Sequence, residues 1–291
     1  RLSDAMQLSP QVLLSFYPGQ IPQAEIVNNT VHNYLYGAYS GKAGVIANLV
    51  PALTTGLAVS ALPAVAESFA KGNAEKTAKS ISTVLRITAI VCIPAGLGIS
   101  ALSSEISALF FGYSSEAAVG APLLEVLGIA SIFIAMTGTT NSLLQAVGRV
   151  SLPVKLILAG SAVKLAMNYI FVGIPSVNIR AVPWATLVCY LLITVFSVFA
   201  LYRSVGKDSV RGVFFKPLLA GVLCAAAARL VQNLISRFFI SRFAVFLSIA
   251  AGGFVYLFAL LLLRAIKKED IILLPNGEKM AKILEKYSLL G

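Results

Sequence analysis

Charge is what this sequence has least of. Only 12% of its 291 residues are Asp, Glu, Lys or Arg, while 58% are hydrophobic and the mean hydropathy is +0.86. A soluble domain carries about twice that share of charge, so a water-exposed globule is excluded. Histidine is nearly absent as well: His32 stands alone, which removes any multi-histidine metal cluster. The three cysteines, Cys92, Cys189 and Cys224, are far apart and lie inside apolar runs. They suggest neither a disulfide framework nor a zinc site and read as small buried hydrophobes. No paired carboxylates and no nucleophile beside a base stand out, so the chain is not read as an enzyme and no cofactor is expected. Period-two alternation is missing too, which excludes a membrane β-barrel.

What the chain has instead is a series of apolar runs, each about 20 residues long and so able to cross the hydrocarbon core as a helix. They fall at 44–66, 81–102, 121–146, 152–174, 181–204, 214–235 and 243–265. The expected fold is therefore an all-α integral membrane protein of about seven transmembrane helices. Three regions follow: 1–43, an extracytoplasmic or interfacial N-terminal remnant; 44–265, the helical bundle; and 266–291, a basic tail. The remnant is interrupted by Pro10, Pro18, Gly19 and Pro22, and Tyr34, Tyr36 and Tyr39 suit an outer interfacial belt. The chain opens on Arg1 with no basic n-region and cleavage site, so a longer chain upstream is expected.

Lysine and arginine set the orientation. One side collects Lys71, Lys76, Lys79, Arg86, Arg149, Lys155, Arg203, Lys207, Arg211, Lys216 and the tail; the other has Arg1, Lys42, Arg180, Arg229, Arg237 and Arg242. The first side is expected to be cytoplasmic, which puts the C-terminus inside and the N-terminus outside. The net charge of +11 then belongs to anionic lipid head groups, and no nucleic-acid groove with stacking aromatics is visible. In the tail, Met280, Ile283, Leu284 and Tyr287 share one helical face apart from Lys279, Lys282 and Lys286, so it should lie on the inner surface. Arg86, near the cytoplasmic end of its span, is expected to snorkel.

One charge is out of place. Lys164 falls near the centre of the fourth span, where a lysine costs roughly 2.5–3.5 kcal/mol on insertion scales. The span's Leu, Ile, Val and Phe residues return only about 3–6 kcal/mol in total. Gly160, Ser161, Lys164 and Asn168 form a small-and-polar helical stripe, and Thr137, Asn141 and Gln145 form another on the preceding span. Two adjacent polar faces are therefore expected. Hydrogen bonds between helices would account for Asn141 and Gln145, whereas an ammonium at that depth calls for water, an anion or a carboxylate. Glu67, Glu105 and Glu125 all lie close to span ends, so a polar cavity is the expectation. Pro51 in the first span and Pro94, Gly96 and Gly98 in the second are candidate helix breaks for gating.

The stretch "SLLQAVGRVSLPVKLILAGSAVKLAMNYIFVGIPSVNIRAVPWATLVCYLL" carries Leu144-Gln145, Gly148-Arg149, Pro153, Lys164, Asn168-Tyr169 and Ile174-Pro175. It resembles the C-terminal half of polysaccharide and lipid-linked oligosaccharide exporters of the multidrug/oligosaccharidyl-lipid/polysaccharide (MOP, MATE-like) superfamily. "AVSALPAVAESFAKGN" is similar to a segment ending a span in that family, and "EDIILLPNGEKMAKIL" resembles the tail of its stage V sporulation protein B branch. The resemblance covers about residues 34–291. It implies one lobe, without its first helix, of a two-lobed transporter of about fourteen spans, the partner lobe being absent from the chain. It also implies alternating-access flipping of an undecaprenyl-linked sugar, such as a peptidoglycan or polysaccharide precursor carried on a pyrophosphate, across a bacterial cytoplasmic membrane. Lys164 would then be a point charge for phosphate. A cation-coupled multidrug exporter of the same superfamily and a non-transporting membrane scaffold stand as alternatives.

Overall fold

Asn73 opens one of the long helices: its side chain accepts a hydrogen bond from the Lys76 amide at 2.9 Å, satisfying a donor that the first turn leaves free. Just before it, Gly72 at φ +69° ends the preceding helix in the left-handed conformation that glycine tolerates. Ser114 opens another helix in the same way, accepting from the Ala117 amide at 3.2 Å.

The computed structural model describes residues 14–206, 213–236 and 242–263, without the side chains of residues 57, 58, 61 and 242. In chain order its helices are α1 (Gln23–Val27), α2 (Val31–Gly37), α3 (Gly44–Ala47), α4 (Leu49–Ala70), α5 (Ala74–Ala101), α6 (Ser103–Phe111), α7 (Ser115–Ala146), α8 (Ser151–Phe171), α9 (Ala181–Val205), α10 (Phe215–Ile235) and α11 (Arg242–Leu262). A π-helical stretch, Ala38–Ala43, joins α2 to α3, and a 3-10 turn, Asn178–Arg180, leads into α9. No strand occurs among the described residues.

Six of these helices, α5 and α7 to α11, are long and apolar enough to cross a membrane. The all-α, multi-spanning fold expected from the sequence is thus the one observed. The first expected span, 44–66, corresponds to α3 and the 22-residue α4 with a break at Asn48. Proline explains the offset: Pro51 lies in the first turn of α4, where a missing N–H costs nothing. The chain before it is more ordered than expected. Residues 31–47 form one helical rod, and the boundary drawn at 43 falls inside it. Tyr17, Val31, Tyr34 and Leu35 join Leu123, Leu124 and Leu127 of α7 in one buried cluster. Tyr34 is therefore buried, its hydroxyl donating to the Gln20 carbonyl at 2.9 Å. Of the three tyrosines read as an outer belt, Tyr36 is the exposed one. The basic tail lies outside the described residues.

The helix α7 is the axis of the bundle. Within its most apolar stretch 67% of residues are buried, against 6% for α8, and it packs against α4, α5, α6 and α9. Small residues set the close crossings, as expected where lipid removes the usual hydrophobic drive between helices. A Cβ on Gly96 of α5 would stand 2.6 Å from the Gly128 carbonyl oxygen, and one on Gly128 would stand 2.7 Å from the Ser100 amide. The segment expected to break at Pro94, Gly96 and Gly98 instead runs on as α5, and Gly96 is a packing surface. The pair α10 and α11 attaches to the bundle chiefly through α5.

Candidate functional site

Lys164 lies four residues after Gly160, whose absent side chain decides how α8 docks. A Cβ at Gly160 would approach Ile193 Cγ1 to 2.6 Å and Cys189 Sγ to 3.3 Å, so this face of α8 lies directly on α9. One turn on, Lys164 is half-buried and close enough to Cys189 to interact electrostatically. Among the described residues its ammonium makes no hydrogen bond and no ion pair. Asn168, a further turn along, is also half-buried, and its Oδ1 is enclosed without a partner. Ser161 is exposed.

The second stripe belongs to α7 and meets α9 through Thr137. Thr137 of α7 and Thr194 of α9 share a hydrogen bond at 3.0 Å, and the Thr194 hydroxyl also reaches the Phe133 carbonyl at 3.1 Å. Asn141, one turn beyond Thr137, leaves its Oδ1 enclosed and unpaired, as is the Oγ of fully buried Ser197 on α9. Gln145 is exposed. The two stripes were expected to face each other across α7 and α8. They do not, because α9 packs against both helices while α7 and α8 barely touch. The reason is tertiary: α9 offers Cys189 and Ile193 to α8 and Thr194 to α7, two faces that its sequence alone does not assign. Interhelical hydrogen bonding for Asn141 and Gln145 does not occur among the described residues.

Pro51 lines a cleft of about 70 Å³ between α4 and α7, with Thr55, Gly138 and Ser142 among its walls. That volume holds a few waters. Pro94 and Gly98 lie on α5, away from this cleft's lining.

Three further charged groups have partners that the sequence did not reveal. Arg86 was expected to snorkel, but it is enclosed at 6% exposure and donates to Ser82 Oγ at 3.3 Å. Its neighbours on α5, Ser82, Thr83 and Leu85, are buried as well, so the side chain enters the bundle and not the interface. Lys42, at the end of the π-helical stretch, forms an ion pair with Glu116, donates to Ser114 Oγ at 3.2 Å and stands over the Phe111 ring at 5.3 Å. It ties the N-terminal rod to the start of α7. Arg229 of α10 pairs with Glu105 of α6 at 3.1 Å. In each case the side chain alone was visible in the sequence and its partner was not.

The extramembrane end beside α9 is fixed by another polar knot. The Tyr17 hydroxyl donates to Asn178 Oδ1 at 2.6 Å, Asn178 Nδ2 donates to the Pro175 carbonyl at 3.0 Å, and the Arg180 guanidinium lies 5.5 Å from the Tyr17 ring centroid. Burial pushes the Tyr17 phenol above its ordinary value, and the nearby Arg180 charge opposes that rise. No group of three or more metal-ligating side chains occurs among the described residues.

The profile of the family described as "MurJ: Lipid II flippase MurJ" matches residues 42–266. Among curated proteins, YabM of Bacillus subtilis strain 168, described as an uncharacterized membrane protein, is 22% identical over 220 residues, 73% of this chain and 40% of YabM. The lipid II flippase MurJ of the same organism is 24% identical over 218 residues, 71% of this chain and 39% of that protein. Among solved structures, the inward closed conformation of a lipid II flippase MurJ superposes with a TM-score of 0.56 at 18% identity, covering 88% of this chain and 50% of that one. At that identity the likeness speaks for the fold. The chain spans about 40% of the length of the curated relatives it matches.

Proposed function

The chain belongs to the lipid II flippase MurJ family, and from that premise we propose that it forms one lobe of a transporter that flips an undecaprenyl-linked sugar precursor across the cytoplasmic membrane. The match over residues 42–266 is the observation that carries this reading. On it, the C-terminus faces the cytoplasm and the basic loops meet anionic lipid. A second lobe faces the open side of α8, and the two alternate access to the carried head group. Assignment to the stage V sporulation protein B branch is a further proposal. It rests on "EDIILLPNGEKMAKIL", which lies outside the described residues.

In this reading Lys164 is the positive end of the site. Its charge has no protein counterpart among the described residues, so it is available to a phosphate-bearing head group as a mobile, multi-donor point charge. Asn168 Oδ1, also unpaired, can accept from a sugar hydroxyl or a bound water. Ser161, three residues before Lys164 on α8, is exposed beside it, whereas Asn141 belongs to the separate polar stripe of α7. The test is completeness. Liposomes holding residues 1–291 alone should flip no labelled precursor, and co-expression with the upstream half of a family member should restore flipping. Robust flipping by 1–291 alone would sink the half-transporter reading.

A further inference from the structure

A sizeable opening with polar groups in its walls does not include Lys164. It lies at the opposite end of the bundle from the α7–α8 turn, where α5 ends, α6 runs across, α7 begins and α10 passes. Its volume is about 790 Å³, and its walls include Ser103, Ser104, Glu125 and Arg229 above and Leu97 and Val222 below. Polar side chains share these walls with apolar ones such as Pro122 and Ala225, which suits an amphiphile better than a fully polar solute.

Helix lengths give its depth. The 32 residues of α7 span about 48 Å, roughly 18 Å more than the hydrocarbon core. Glu125 lies about 15 Å along α7 from Ser115, and Arg229 about 9 Å from the end of α10, by the helical rise. Val222, about 20 Å from the end of α10 by the same rise, is deeper than Arg229 on the same helix, so the guanidinium is the group nearer the head groups.

The charges at this mouth are mixed and partly unspent. Arg229 Nη1 donates to Glu105 Oε1 at 3.1 Å, to Oε2 at 3.4 Å and to the Ala101 carbonyl at 3.1 Å. Its Nη2 and Nε donate to nothing among the described residues, and the Glu125 carboxylate has no hydrogen bond or ion pair there either. One guanidinium against two carboxylates leaves a local charge of about −1 in a chain whose total is +11.

We propose that this cavity binds the head group of a zwitterionic aminophospholipid of the phosphatidylethanolamine type. The primary ammonium donates to Glu125, the phosphate accepts from the free edge of Arg229, and an acyl chain lies along Leu97 and Val222. Phosphatidylglycerol carries the same phosphate without an ammonium, so its net negative charge meets a mouth that is already negative. Phosphatidylcholine has no N–H to give Glu125. A bare metal cation would meet the Arg229 charge and gain nothing from the apolar floor. The site is independent of the flipping reaction and of Lys164.

The experiment uses the 1–291 chain in nanodiscs of equal parts phosphatidylethanolamine, phosphatidylcholine and phosphatidylglycerol, with retained lipid counted by native mass spectrometry. Phosphatidylethanolamine should be retained about fivefold or more over phosphatidylglycerol. Glu125→Gln should cut that retention about tenfold, the scale of one charge-assisted hydrogen bond. Arg229→Lys, which keeps the charge and loses the fork, should weaken phosphatidylethanolamine and phosphatidylcholine alike. Glu67→Gln, at an exposed carboxylate elsewhere, should change nothing. Equal retention of the three lipids, preference for phosphatidylglycerol, or a folded Glu125→Gln protein with unchanged selectivity overturns the proposal. So does a Glu125-dependent thermal shift with sodium or magnesium in the absence of any lipid preference.

Discussion

Replacing Lys164 by methionine removes the one mid-span ammonium while keeping a long, flexible side chain. On insertion scales a lysine at that depth costs about 2.5–3.5 kcal/mol. The side chain is half-buried and without a hydrogen-bond or ion-pair partner among the described residues, so its removal leaves no counter-charge stranded. Folded yield of Lys164→Met should therefore equal or exceed that of the wild type. Transport should fall, because a charge-assisted hydrogen bond to phosphate contributes about 1.5–3 kcal/mol, equivalent to roughly 10- to 150-fold. Lys164→Arg should keep part of the activity, since the charge survives with altered geometry, and Asn168→Leu should show a smaller loss. The assay is flipping of a labelled precursor by the chain co-reconstituted with its complementary lobe, divided by folded protein on the same membranes. If Lys164 anchored the bundle, abundance would fall first and specific activity would stay constant. A Lys164→Met protein with normal specific activity refutes the phosphate role.

Gly160→Val should destabilise the α8–α9 contact by about 1–3 kcal/mol through overpacking, because the added carbons meet Ile193; thermal unfolding in detergent should show the loss, and Ile193→Ala should recover part of it. Tyr17→Phe removes the hydroxyl bonded to Asn178 and should cost about 1 kcal/mol, read as faster hydrogen exchange of residues 14–22. The wild-type phenol is held above its ordinary value, so its contribution is complete below about pH 10 and is lost as pH rises through the folded value; Tyr17→Phe should abolish that alkaline loss. Cysteines at exposed Tyr113 and Lys76, in a background without the native three, should label with an impermeant reagent from outside and inside respectively. The reverse pattern would invert the proposed orientation.

How much of this was legible in the sequence depends on what each feature needs. Span positions need only an apolar run, and α8, α9 and α10 begin and end within a few residues of where those runs predict, whereas α7 begins six residues early at Ser115. The α5 helix starts seven residues before its apolar run, at Ala74, because hydropathy marks what lipid covers, whereas the Asn73 cap marks where the helix begins. Residues 31–43 and α6 were missed for the complementary reason: they are too short or too polar to register as spans, and contacts with α7 order them. The candidate site divides along the same line. That Lys164 and Asn168 are anomalous is a property of each residue's own depth, whereas Asn141, expected to bond a neighbouring helix, leaves its Oδ1 unpaired. Which surface they face is a property of the neighbour, and α9 intervenes between the stripes because Gly160 lets it approach α8 while Thr194 bonds Thr137 of α7. Gly96 is a second such residue. In the sequence it sits beside Pro94 as a potential break, and only the Gly128 carbonyl, 2.6 Å from where a Cβ would stand, turns it into a packing surface. A second lobe would approach the barely buried α8 from outside this chain. On the proposed two-lobe reading the surface around Lys164 on α8 would be completed by the second lobe, whereas the Glu125–Arg229 mouth is built from helices that already pack against one another.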